Sequence, residues 1–153
     1  MYQRILVPVD GSAASERGVH EAICLALAQD ARLLFLHVLD EKPLLLEGMS
    51  QASLDEMLRS MRHAGLDLLT KARQAAEKAS VHCETLLREV SGGPIADMIV
   101  DQAAQHHCDL IVMGTHGRRG LARMALGSDA EQVLRSSVLP VLLVRAQPQV
   151  LES

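Results

Sequence analysis

The sequence predicts a single-domain α/β fold, an open parallel sheet of five strands with helices on both faces. Three observations carry that reading. Short apolar runs such as Ile5–Val9, Leu33–Val38 and Leu110–Met113 recur along the chain and have the length of buried strands. Segments with apolar residues at helical spacing separate them, and this alternation is the pattern of right-handed βαβ units. A chain of 153 residues, 48% of them hydrophobic, is long enough to bury a sizeable core in one domain.

The elements follow in order. Ile5–Val9 is the first strand, ended by Asp10-Gly11-Ser12. Ser12 is a natural N-cap, and Val19, Ala22, Ile23 and Ala26 then fall on one helical face. Leu33–Val38 is the second buried strand, and residues Leu39 to Ser50, with Pro43 and Gly48, read as a linker. A long helical stripe follows through Leu54, Met57, Leu58, Met61, Leu68, Ala72, Ala75 and Ala79, with Met57 and Met61 as core filler. The stripe thins to alanine, as against a sheet, and lacks sustained heptads, which argues against a coiled coil. Val81–Val90 is more polar and alternating, hence nearer a sheet edge. Gly92-Gly93-Pro94 opens a helix with proline at its first position, and Ile95, Met98, Ile99 and Ala103 supply its buried face. Asp109–Met113 is the fourth strand, Ser128–Ser136 the last helix and Pro140–Arg145 the last strand. The domain spans 1–146, and 147–153 is a polar tail.

Composition excludes several functions. Aromatic residues are limited to Tyr2 and Phe35, so the stacking platforms of single-strand binders are missing. A net charge of -4 argues against a nucleic-acid partner, whose backbone is held by clustered Lys and Arg. Arg118, Arg119 and Arg123 form a small basic spot, enough for one small anion. No apolar run approaches the roughly 20 residues of a membrane span, and polar Gln3 and Arg4 lead directly into the first strand, so neither a membrane anchor nor a leader is expected. Cys24, Cys83 and Cys108 are widely spaced without a CxxC pair, which points to a reducing cytoplasm.

The chemistry concentrates in the stretch from Gly114 to Ser128. Glycines at Gly114, Gly117 and Gly127, followed by Ser128, give the spacing Gly-x2-Gly-x9-Gly-Ser between a strand and a helix. Such a turn lets backbone approach an anion and presents N–H groups at a helix start. It is neither a Walker A loop, which needs Gly-Lys-Ser/Thr, nor a Rossmann Gly-x-Gly-x-x-Gly. Ligands of open parallel sheets bind outside the carboxyl ends of the strands. Pro8-Val9-Asp10-Gly11, His37-Val38 and Met113-Gly114 sit at three of those ends and face one crevice if the first strand lies between the second and fourth. Asp10 fits two roles there, a tight turn with Gly11 or an acceptor for an adenine amino group or ribose hydroxyl.

These residues together resemble the universal stress proteins of the UspA superfamily. The resemblance runs through Val7-Pro8-Val9-Asp10-Gly11-Ser12, Asp109 to Gly117, Leu126-Gly127-Ser128 and Pro140 to Val144, over nearly the whole chain in the right order. It implies a sheet of order 3-2-1-4-5 with an adenine nucleotide α-hydrolase-like architecture. It also implies a homodimer through the last strand, Val141–Val144, whose apolar edge needs cover. The family divides into ATP-binding members carrying the glycine motif and members lacking it, and this chain carries the full motif. By resemblance, Asp10 holds adenine beside Val9, while Pro8, Val38 and Met113 line the pocket. Gly114, His116, Gly117, Gly127 and Ser128, with Asp129 and Ala130 behind them, meet ribose and phosphates.

One departure stands out. Asp129 occupies a place where the family often has small or hydroxyl-bearing residues, with Glu131 two positions on. At an effective dielectric near 20, like charges about 4 Å apart repel by about 4 kcal/mol. ATP then needs either a bridging Mg²⁺, with Asp129 as its neighbour, or a carboxylate turned away.

Other features read as structure. Ser128 with Glu131 fits a capping box, which is compatible with phosphate contact. His116 is either a phosphate contact or a solvated side chain, and His37 reads as a satisfied structural histidine. His106-His107-Cys108-Asp109 reads as the polar end of a helix, because consecutive residues rarely converge on one metal ion. A phosphoacceptor regulator is excluded, since Arg88-Glu89 and Arg145 stand where it needs Asp and Lys. The expected function is a nucleotide-binding stress-response module with little or no catalysis, at most a slow ATP hydrolase. Its alternative is a dimeric interaction protein with a vestigial pocket.

Overall fold

A computed structural model describes residues 1–45, 47–116 and 126–147. The chain runs through β1 (Arg4–Pro8), α1 (Ala13–Gln29), β2 (Arg32–Asp40), α2 (Lys42–Leu45), α3 (Gln51–Lys78), β3 (Cys83–Val90), α4 (Ile95–Gln105), β4 (Leu110–Gly114), α5 (Ser128–Ser136) and β5 (Val141–Val144). All strand pairs are parallel and the sheet order is β3-β2-β1-β4-β5, as expected.

Register explains why the strands read as unbroken apolar runs. Ile5 lies opposite Leu33 on one side and Leu110 on the other, and Leu6 opposite Leu34 and Ile111. Because side chains alternate along a strand, Ile5, Val7, Leu33, Phe35 and Val112 face α1 and α3, packing with Ile23, Ala26, Leu69 and Ala76. Leu6, Leu34, Leu36 and Ile111 face α4 and α5, packing with Ile99, Ala103 and Val133. Helices cover both faces, so both alternating sets are buried.

The helix starts are locally encoded. Ser12 caps α1 by accepting the Ser15 N–H at 3.1 Å, and Ser50 caps α3 by accepting from Ser53. Asp30 ends α1 in the left-handed region, φ 54°. The Asp109 carboxylate accepts the Gln3 and Arg4 N–H groups at 2.8 and 3.1 Å, tying the start of β4 to that of β1.

Three expectations need correction. The Leu39–Ser50 segment is not all linker, because β2 pairs with β3 as far as Asp40 and the Asp40 carboxylate then caps the Lys42 N–H, starting the short α2. Pro94 is the N-cap of α4 with extended ψ 146°, one place before the first helical residue. The stripe on α3 is shifted: Gly65, Leu69, Ala72 and Ala76 are buried, whereas Ala75 is exposed and Met57 is 42% exposed. Met61 is only half-buried, so the two methionines are not core filler. Length is the reason. The 28 residues of α3 span about 42 Å, while the eight of β3 span roughly 26 Å, so the N-terminal half of α3 outruns the sheet.

Where α3 meets β2 it packs at Gly65 against His37. A Cβ at Gly65 comes within 2.5 Å of the His37 ring. That ring holds the Val9 carbonyl at 2.7 Å, and since a carbonyl only accepts, Nδ1 carries the proton. Gly65→Ala must displace the ring, a cost offset in part by alanine's better helix propensity. A net loss of about 1–2 kcal/mol in urea unfolding is expected.

Candidate functional site

The carboxyl ends of β1, β2 and β4 lie side by side and bring Pro8, Asp10, Val38 and Met113 to one end of the sheet. At the end of β1 the Asp10 carboxylate accepts the Ser12 N–H at 2.8 Å, closing a turn over Gly11, whose φ of 82° suits glycine. The Asp10 N–H donates to Ser15 Oγ at 3.1 Å. Asp10 therefore holds the tight turn at the carboxyl end of β1.

Val9 differs from its neighbours. Its side chain is buried on the α1/α3 face, its N–H donates to the Leu36 carbonyl at 2.8 Å, and its own carbonyl holds His37. Val9 serves the fold, and His37 is the satisfied structural histidine expected. Val38 and Met113 lie together on the opposite face, Val38 half-buried and Met113 6% exposed in the α4/α5 layer. Pro8 is half-buried at the end of β1.

The glycine loop is pinned at both ends. The buried Thr115 donates its N–H to Val144 and accepts the Gly127 N–H at 2.8 Å on its carbonyl. Ser12 Oγ donates to the His116 carbonyl at 3.3 Å, and Thr115 Oγ1 lies 3.0 Å from His116 Nδ1. His116 is thereby drawn to the α1 start, half-buried. Gly117, Arg118, Arg119 and Arg123 lie outside the described residues.

Gly114 has a reason of its own. A Cβ there would come within 2.7–2.9 Å of Ala14 and the Ser15 nitrogen, so the first motif glycine admits the first turn of α1. The sequence motif suggests only anion contact for it. The signal for the packing role is the small-residue run Ala13-Ala14-Ser15 and Gly18, which lets α1 come close.

The capping box does not form. Gly127 is the N-cap of α5 and makes no side-chain cap bond, Ser128 is the first helical residue, and Glu131 pairs with Arg135 at 2.7 Å. Because Gly127 already has the extended φ/ψ of a cap, Ser128 enters the helix one position early. Among the described residues no side chain caps the first turn of α5, the arrangement that receives anions. Ala130 is 2% exposed and packs into the α4/α5 layer.

Asp129 faces a crevice of about 460 Å³ lined also by Asp40, Lys42, Pro94 and Gln132. Desolvation, then the charges of Asp10 and Asp40, push its carboxyl above the ordinary 3.8, with Lys42 opposing. Lys42 was hidden from sequence reasoning inside the linker. Its ammonium is engaged by Asp40 at 3.8 Å and by the Gly93 carbonyl.

The His106–Asp109 run is structural. His107 adopts φ 54°, Asp109 binds the β1 backbone, and burial pushes the Cys108 thiol up to about 11. Among the described residues no three His, Cys, Asp or Glu side chains converge as metal ligands. No described helix is long and apolar enough to cross a membrane.

Residues 1–145 match the model of the universal stress protein family. A universal stress protein of Methanocaldococcus jannaschii is 35% identical over 146 residues, covering 95% of this chain and 83% of the relative. Among solved structures, the universal stress protein UspA of Lactobacillus plantarum superposes with a TM-score of 0.80 at 29% identity, over 94% of this chain and 98% of that one. A universal stress protein crystallised in complex with cAMP superposes with a TM-score of 0.66 at 26% identity, over 95% and 98% of the two chains.

Two outcomes are expected from this geometry. Gly114→Ala should lose about 1–3 kcal/mol of stability without any ligand present, measured by denaturant titration. Asp129→Asn should be more stable than the parent at neutral pH, by no more than about 0.5 kcal/mol for a side chain that reaches solvent. The sign follows from linkage: a raised folded pKa means the folded state binds the extra proton, so the parent loses stability as pH rises from 3.8 through the folded value. Thermal melts across pH should show the variant's advantage vanish below about pH 3.8, where both side chains are neutral.

Proposed function

The chain belongs to the universal stress protein family, and from that premise we propose that it is an adenine-nucleotide-binding regulatory module that does little or no chemistry on its ligand. The observation that carries the reading is the α5 start. Its N-cap Gly127 makes no side-chain cap bond and is tethered through Thr115 to the end of β4, and the charge of Asp10 reaches Asp129 in its first turn. Adenine and ribose belong at Asp10 and Val38, and the phosphoryl end belongs at Gly127 and Ser128. The 26% identical relative in complex with cAMP supports an adenine nucleotide as the ligand class. ATP is the ligand that the glycine motif suggests.

Phosphoryl transfer needs a positioned acceptor, a base and a cationic clamp. Lys42, the one lysine lining the crevice among the described residues, is already engaged by Asp40 and Gly93. That supports binding without turnover. A homodimer through β5 in a cytoplasmic setting completes the proposal. The outer edge of β5 presents Leu142, 42% exposed, and the preceding Val138 is 95% exposed, an apolar edge of the kind that pairs with another chain. Asp129 favours one second reading, an interaction protein whose pocket is vestigial.

Calorimetric titration of nucleotide-stripped protein with adenine nucleotides, with and without Mg²⁺, decides between them. Micromolar binding is expected from the first reading, and silence with every nucleotide selects the second. Gly117→Val replaces a glycine of the motif with a residue of restricted backbone and should abolish binding while the circular dichroism spectrum and melting temperature stay those of the parent. Full affinity in that variant would remove the loop from the site.

A further inference from the structure

Among the described residues, the crevice is lined by two carboxylates and one lysine, where a nucleotide must bring more negative charge. Asp129 stands in the first turn of α5, immediately after Ser128, and shares the 460 Å³ crevice with Asp40 at the end of β2. At the end of β1, the Asp10 carboxylate accepts the Ser12 N–H. Lys42 reaches the same space but spends its ammonium on Asp40 and the Gly93 carbonyl, so it offsets a charge already present. Among the described residues, the attraction left for a phosphate comes from backbone N–H groups at the α5 start, whose N-cap Gly127 makes no side-chain cap bond. Such donors satisfy one phosphoryl group well and do nothing to neutralise several.

Nucleotides differ in this respect by simple ionisation. A cyclic phosphodiester has no second ionisation, a monoester has one near neutral pH, and each further phosphoryl group adds charge. We infer that the crevice selects its nucleotide by phosphate charge, with Asp129 as the discriminating residue. A cyclic or single-phosphate adenine nucleotide is taken in preference to ATP, which enters well only when a divalent cation neutralises it. This rests on the adenine-nucleotide reading above and narrows it.

The repulsion between Asp129 and a terminal phosphoryl group is long-ranged inside the crevice and screened toward solvent. Screening leaves a discrimination of about tenfold for a partly exposed carboxylate. It acts through the side-chain charge alone, so an isosteric amide removes it.

The test is calorimetry on the full chain at constant ionic strength with cyclic AMP, AMP and ATP, the last with and without Mg²⁺, for the parent and Asp129→Asn. The parent should bind cyclic AMP and AMP at least about tenfold more tightly than metal-free ATP, and Mg²⁺ should recover most of the difference. Asp129→Asn should tighten metal-free ATP by about tenfold while moving cyclic AMP by less than about threefold. Equal affinities of the parent for all three nucleotides, or an equal change for all three in the variant, overturn charge selection and leave the binding site standing. No binding by either protein overturns both the selection and the nucleotide reading beneath it.

Discussion

The close approach of α1 to the end of β4 is the constraint on which the site depends. Gly114 leaves no side chain at a point where a Cβ would meet Ala14 and Ser15 within 2.9 Å, and Gly18 continues the contact one turn later against Met113 and Gly114. The helix start is drawn over the strand end, so Ser12 reaches the His116 carbonyl and Ser15 reaches the Asp10 N–H. The turn after β1 and the end of β4 are joined through one helix turn. The first motif glycine is thus a packing residue before it is a ligand-facing one.

The sheet supplies the frame for that contact. Helices on both sides bury both faces of β1, β2 and β4 along most of their length, and the chain must turn at their carboxyl ends. Polar groups collect there because turns need them: Asp10 closes one, Asp40 caps another, and Gly127 starts α5. In the proposed site, a carboxylate recruited for a turn also faces the ligand. The electrostatic character of the crevice follows from the local needs of the backbone, with Asp129 added to them.

The chain of support extends to the far helix. The late half of α3 touches the sheet, and Gly65 allows it to close on the His37 ring, which holds the Val9 carbonyl directly before Asp10. Further along, Arg62 joins Glu89 at the end of β3, where the Arg62 guanidinium holds the Glu89 carboxyl below its ordinary value. The glutamate's neighbour Glu41 is pushed upward, first by desolvation and then by the hydrogen bond and charge of Glu89. These exposed pairs contribute little stability individually, but they register α3 against the strands whose ends form the crevice.

Much of this was legible in the chain itself. Strand runs, the Ser12 cap, the α5 span and the parallel order are dictated by periodicity, capping chemistry and the handedness of βαβ units, all of which act over a few residues or one crossover. The family was legible for the same reason, since its motifs sit at strand ends. Distances between segments far apart in sequence were not. Only the tertiary structure decided that Gly114 accommodates α1, that Val9 and Ala130 turn into the core, that Lys42 enters the crevice, and that Met57 stays exposed. Each depends on which surface a side chain meets across the fold, and a one-dimensional pattern records which residues are apolar or small without recording what they touch.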